Sequence, residues 1–185
     1  MNAALARVVS AFDRIGAPHA IVGSVGATAW GLQRSTIDTD IITITVRERV
    51  DELLAALSND QTYFPLDDAR RVLQFGGSFN VLDLETTEKI DVFVAPASDK
   101  FAASRLSRRV KARIQDVDTW VATAEDIILA KLRWRITTRS ERQWRDCLDI
   151  AGINQLDVDY LRKWADVIGV RADLEELLEA IKPLQ

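Results

Sequence analysis

Ala20-Ile21-Val22-Gly23-Ser24, followed after an interval by Asp38-Thr39-Asp40-Ile41-Ile42-Thr43-Ile44-Thr45-Val46, is the stretch on which the fold turns. Ala20 to Val22 reads as a short buried strand that Gly23-Ser24 interrupts, and Val25 to Leu32 predicts a short helix despite Gly26 and Gly31. Residues 38–46 alternate and are rich in Ile and Thr, as a strand requires. Side chains alternate along a strand, so Asp38 and Asp40 point to one face and Thr39 to the other. Two adjacent carboxylates repel unless a cation lies between them, and hard oxygen donors suit Mg²⁺. Upstream, Gly23 allows a phosphate to approach the backbone, Ser24 adds a hydroxyl, and the start of a helix offers free N–H groups.

Working outward, Ala4, Val8, Ala11, Phe12 and Ile15 recur at helical spacing before Gly16. Val50, Leu53, Leu54 and Leu57 mark a second helix. Phe79 to Glu85 and Lys89 to Val94, separated by Thr86-Thr87-Glu88, predict a hairpin. Asp91 stands in its second arm between Ile90 and Val92, an odd place for a lone charge; Asp83 is its rival in the first arm. If the arm bearing Asp91 lies beside the strand of Asp38 and Asp40, three carboxylates converge. Such a cluster can hold the metal ions that clamp the attacking and leaving oxygens of a phosphoryl displacement.

Val110 to Ile114 is a further strand candidate, and Thr123 is a good N-cap for a helix running to about Arg135. Helices over about 140–151, 158–168 and 172–181 complete the chain. The fold class is therefore α+β: a small mixed β-sheet with flanking helices, then a helical C-terminal part. Residues 1–122 form the expected catalytic core, and 123–185 the helical part that completes the cleft, the two making one compact unit.

A chain of 185 residues, 48% of them hydrophobic, can bury a sizeable core. The lone Cys147 excludes an internal disulfide framework and a cysteine-rich zinc site, and suits a reducing cytoplasm. No window has the length and apolarity of a membrane span or a signal peptide. The net charge of -4 disfavours a general DNA coater, yet five of the nine residues from Arg105 to Arg113 are basic, and residues 131–145 are also rich in Lys and Arg. That pattern fits either a polyphosphate or RNA partner or an ordinary solvated surface. The only histidine, His19, reads as structural. Trp134 and Trp144 flank basic residues and could stack a base, while Trp30 and Trp164 read as core.

Gly23-Ser24, thirteen residues, Asp38-x-Asp40 and a later Asp91 together resemble the signature of the DNA polymerase β-like nucleotidyltransferase superfamily. Arg34-Ser35-Thr36-Ile37-Asp38-Thr39-Asp40 is similar to the R-x-T-x-D-x-D form of its AbiEii-type toxin branch and that branch's uncharacterised relatives. The stretches Ala124 to Leu132 and Arg145 to Ile150 resemble the branch's lysine-bearing helix and its final aspartate motif. The resemblance implies that Asp38, Asp40 and Asp91 bind Mg²⁺ or Mn²⁺, with Asp91 also activating the acceptor. It implies further that Gly23 and Ser24 hold the triphosphate and that Lys131 and Asp146 complete the nucleotide site. Thr39 departs from the usual apolar middle residue, but its side chain is expected to face away from the metal.

The expected activity is transfer of a nucleoside monophosphate from an NTP such as ATP to a hydroxyl acceptor. The first expectation is a cytoplasmic toxin acting on tRNA, paired with a cognate antitoxin or serving in phage defence. The alternatives are a small-molecule, antibiotic-type nucleotidyltransferase and a catalytically silent binding partner. Lys131 follows Ile127 by four positions and Ile128 by three, so it shares their buried flank and needs a partner there. Asp146 is the expected one.

Overall fold

In the computed structural model, which describes residues 2–33 and 38–182, α1 (Ala3–Arg14) begins where the Asn2 side chain accepts the Leu5 amide. Its face of Leu5, Val8, Val9 and Phe12 is buried. β1 (His19–Val22) follows, buried along its length, and runs directly into α2 (Gly23–Ala27). The predicted helix over 25–32 is thus shorter and starts earlier. Beyond Ala27 the chain tightens into a 3₁₀ turn, Thr28–Trp30, where Thr28 Oγ1 donates back to the Val25 carbonyl at 2.7 Å. Gly31, with φ of 88°, closes the turn.

β2 (Thr39–Ile44) is shorter at both ends than the alternating stretch suggested. α3 (Val50–Leu57) is as expected. The chain then adds β3 (Thr62–Tyr63) and α4 (Leu66–Phe75), which the sequence reading did not anticipate. The predicted hairpin is β4 (Gly77–Asp83) and β5 (Lys89–Ala95). A further unanticipated helix, α5 (Lys100–Arg108), precedes β6 (Val110–Ile114) and an added strand, β7 (Val117–Val121). Four helices close the chain: α6 (Ala124–Thr138), α7 (Glu141–Ile153), α8 (Val158–Ile168) and α9 (Arg171–Ile181).

The seven strands form one sheet in the order β3-β4-β5-β2-β1-β7-β6. β2 runs antiparallel to β1 and parallel to β5, so the sheet is mixed at its centre. One face, with Ile21, Ile41, Ile90 and Val92, packs on the apolar sides of α1, α3 and α4. The opposite face contributes Ala20, Val22 and Ile42 to a second apolar cluster with α5 to α9. That cluster covers β1 and β2 and reaches Ala95 at the end of β5, but leaves Ser78, Asn80 and Phe93 of β4 and β5 exposed. The carboxylates lie at this border between covered and open sheet. Among the described residues, no helix is long and apolar enough to cross a membrane. The Arg34–Ile37 stretch of the family resemblance lies outside the described residues.

Candidate active site

The register of the central strands brings the site together. Asp40 of β2 is the direct neighbour of Val22 at the end of β1 and of Asp91 on β5. Paired residues on adjacent strands project to the same face, so the two carboxylates stand side by side on the face opposite Ile41 and Val92. Thr39 is buried on the other face, as the alternation requires. Asp38 sits just ahead of β2 and is exposed.

Gly23 meets this pair from the side. Its φ is 63°, a left-handed conformation that L-residues seldom adopt. A Cβ at this position would lie 1.9 Å from Asp40 Oδ2. Gly23 is therefore a spacer that lets the end of β1 and the start of α2 lie against the Asp40 carboxylate. Ser24 follows it, half-buried, as the second residue of α2. Gly26, one helical step on, would bring a Cβ to 2.9 Å from the Ile21 carbonyl, so the helix can fold back onto β1 only because both positions are glycine.

The electrostatics record the crowding. The Asp40 carboxyl is pushed from an ordinary 3.8 to about 6, first by burial and then by Asp91 and Asp38, with Lys131 and Lys89 acting in the opposite sense. Asp91 Oδ1 is buried and has no hydrogen-bond partner among the described residues. Its Oδ2 lies 3.1 Å from Lys89 Nζ, which is also 3.7 Å from Asp38 Oδ1. The hydrogen bond to Asp91 raises the Lys89 ammonium above its usual range. A buried acceptor without a donor, in a group of mutually repelling carboxylates partly neutralised by an ammonium, is a donor set that fits a divalent cation. Among the described residues, no three histidine, cysteine or acidic side chains are drawn close enough to enclose an ion unaided.

Lys131 of α6 and Asp146 of α7 pair close enough for the lysine to act on the Asp40 carboxyl. Both are buried, and Lys131 Nζ lies 2.6 Å from Asp146 Oδ2 and 3.1 Å from Gln143 Oε1. The lysine thus points inward and tempers the Asp40 carboxyl instead of reaching solvent. Cys147 beside them is buried, and burial pushes its thiol up to about 12, far from reactive.

A polar clamp holds α6 in place. Thr123 caps it, and the buried Asp126 accepts hydrogen bonds from Tyr160 Oη at 2.7 Å and Thr123 Oγ1 at 3.1 Å. Arg108 lies over the Tyr160 ring and near both Glu125 and Asp157. Within the basic stretch 105–113, Arg105 is buried on Phe101 and Arg109 stacks on Trp120, while Lys111 and Arg113 are exposed. Asp83, the rival of Asp91, is buried and structural; it pairs with Arg7 and accepts the Glu85 and Thr86 amides of the hairpin turn. His19 is buried against Phe12. Of the tryptophans, Trp164 is core and Trp134 is exposed. Trp144 is covered by Arg135, and Trp30 is only partly buried, with its indole N–H on the Ala122 carbonyl.

Lys89 and Gln143 were missed by sequence reasoning. The spacing of Lys89 two residues before Asp91, on the same strand face, was the available signal for the first. For Gln143 the signal was its place three residues before Asp146 on a helix. A cavity of about 590 Å³ lined by Pro18, Val46, Arg47, Phe75 and Pro96 lies at the other ends of these strands. It contains none of the carboxylates and has no evident part in this chemistry.

Residues 17–180 match the model of the family described as nucleotidyltransferase of unknown function (DUF6036). No curated protein matches the chain. Among solved structures, the chain is similar to ANT(2")-Ia in complex with adenylyl-2"-tobramycin (TM-score 0.55, 16% identity, 86% of this chain and 92% of that one). It is also similar to an antigenic nucleotidyltransferase-like protein from Paracoccidioides brasiliensis (TM-score 0.53, 16% identity, 96% and 92% covered). A third is the lincomycin-bound lincosamide antibiotic adenylyltransferase LnuA (TM-score 0.52, 11% identity, 83% and 98% covered). At these identities the likeness is one of fold.

Proposed function

The chain belongs to this nucleotidyltransferase family, and from that premise we propose that it transfers a nucleoside monophosphate from an NTP to a hydroxyl acceptor with the help of Mg²⁺ or Mn²⁺. The observation that carries this reading is the side-by-side register of Asp40 and Asp91 with Gly23 pressed against Asp40. Asp38, Asp40 and Asp91 would hold the divalent cation, whose remaining ligands come from the triphosphate and water; when bound, it supplies charge neutralisation at the phosphates.

The protein's own residues do the rest. Gly23 and Ser24 cradle the triphosphate at the end of β1. Lys131, fixed by Asp146 and Gln143, adds a compact positive charge behind it. Asp91 orients the acceptor hydroxyl and takes its proton as the oxygen bonds to the α-phosphorus and pyrophosphate leaves. Catalysis is thus mainly positioning and electrostatic stabilisation.

For the acceptor, the internal pairing of the basic side chains favours a small hydroxyl compound over a long polyanion. Arg108 and Arg135 are tied to acids, and Arg105 is buried. The two antibiotic-modifying enzymes of similar fold agree with that choice. The second reading is a toxin that modifies tRNA and is restrained by an antitoxin; the exposed Arg133, Arg142, Arg145 and Trp134 on α6 and α7 support it.

Incubation with each α-³²P-labelled NTP and Mg²⁺, against total tRNA in one arm and a panel of aminoglycosides, lincosamides and other polyols in another, tests both. Label is expected on a small acceptor. Label on tRNA alone would select the second reading, and no transfer or pyrophosphate release in either arm would reject nucleotidyl transfer by this site.

A further inference from the structure

Lys89 opens β5 two residues before Asp91, on the same face of the strand, at the border where the covering helices end. A lysine at a hairpin end ordinarily extends into water. This one is 37% exposed and turns back over the sheet, with Nζ at 3.1 Å from Asp91 Oδ2 and 3.7 Å from Asp38 Oδ1. It bridges Asp91 of β5 and Asp38, which lies just ahead of β2. The other lysine of the site cannot take this part, because Lys131 is buried on Asp146 and Gln143. Asp91 Oδ1, meanwhile, is buried without a donor among the described residues, so Lys89 neutralises the site only in part.

We propose that Lys89 is the resident counter-ion of the carboxylate site: its ammonium bridges Asp38 and Asp91 before a divalent cation arrives, and yields to that cation on a flexible stem. This rests on the reading of the three carboxylates as the cation site. An ammonium held at Asp91 Oδ2 and Asp38 Oδ1 competes with a divalent ion for those oxygens and repels it at close range. Lys89 therefore lowers the affinity for free metal and offsets the repulsion between the carboxylates until metal and nucleotide come together. It is a positioning residue, and no bond to the nucleotide is assigned to it.

Calorimetric titration of Mn²⁺ into the nucleotide-free protein tests this, comparing the wild type with Lys89→Met, Lys89→Arg and Asp40→Asn. Methionine keeps the length and removes the charge at a partly exposed position, and circular dichroism checks that the variants fold. Lys89→Met is expected to bind Mn²⁺ roughly tenfold more tightly than the wild type, equal to about 1.4 kcal/mol. Lys89→Arg should stay close to the wild type, and Asp40→Asn should lose binding. Equal or weaker binding by Lys89→Met, with Asp40→Asn still deficient, overturns the role of Lys89 and leaves the carboxylate site standing. Tightening by arginine as large as that by methionine also overturns it, because charge would then not be the cause. Mn²⁺ binding unaffected by Asp40→Asn, or absent from both wild type and Lys89→Met, removes the carboxylate site and this proposal with it.

Discussion

Asp40 is held where its charge is costly. Its carboxyl ionises near 3.8 when unfolded and near 6 in the fold. Between those values the folded protein binds the extra proton, so stability falls as the pH rises from about 4 to 6 and the loss persists above it. The displacement corresponds to at most about 3 kcal/mol, and partial contact with water reduces that to about 1–2 kcal/mol. Asp40→Asn should accordingly melt at a higher temperature than the wild type at pH 8 in EDTA, with the difference gone near pH 3.5. The same variant should lose nucleotidyl transfer by at least about a hundredfold, the scale of a charge lost from phosphoryl-transfer chemistry. Equal melting at pH 8, or full activity, would contradict the assignment. Wild-type activity itself should fall as the pH drops below 6, when Asp40 takes up a proton. Gly23→Ala tests the adjoining backbone: the added Cβ collides with Asp40 Oδ2 and the φ of 63° is strained. It should cost about 1–3 kcal/mol and abolish nucleotide-dependent protection in a thermal-shift assay, whereas unaltered nucleotide binding would place the phosphates elsewhere.

At the scale of elements, α6 and α7 are joined by the buried Lys131–Asp146 pair. Breaking a buried ion pair leaves an uncompensated charge and typically costs about 3–5 kcal/mol. Asp146→Ala is expected to destabilise by that order in urea unfolding, and Lys131→Ala, which takes the ammonium from the buried Asp146 carboxylate, by a similar amount. Joint replacement by Met and Leu should recover most of the stability without recovering activity. Recovery of activity in the double variant would show the pair to be a strut alone. The sequence made this pair legible because Lys131 shares a flank with Ile127 and Ile128. It made α4 far less so: only Ala69, Val72 and Leu73 are buried among charged neighbours, and its first-turn acids and the Gly76-Gly77 stop were the only marks. α5 was obscured by the basic run, although Asp99 caps it by accepting the Phe101 and Ala102 amides. β7 follows a tight turn in which Gln115 and Asp116 take positive φ, without the Asn-Gly or Asp-Gly that advertises such a hairpin.

For the whole molecule, the sheet order was beyond periodicity, because the adjacency of β2 and β5 is a long-range fact. Asp91 could be suspected from its apolar flanks, but only the register set it beside Asp40. Lys89 escaped notice for the same reason, since a lysine beside a polar turn looks solvated until the neighbouring strand is known. The resemblance supplied the expected grouping; the fold brings Gly23, Asp40, Asp91 and the Lys131–Asp146 pair to one border of the sheet. The central claim is that this border binds a divalent cation together with an NTP. Crystals grown with Mn²⁺ and a non-hydrolysable NTP analogue, measured for the anomalous signal of manganese, test it most directly. An anomalous peak touching Asp40 and Asp91 is expected, with the triphosphate running past Gly23 and Ser24 toward Lys131. Nucleotide bound at another surface, or a manganese peak remote from both carboxylates, would contradict it.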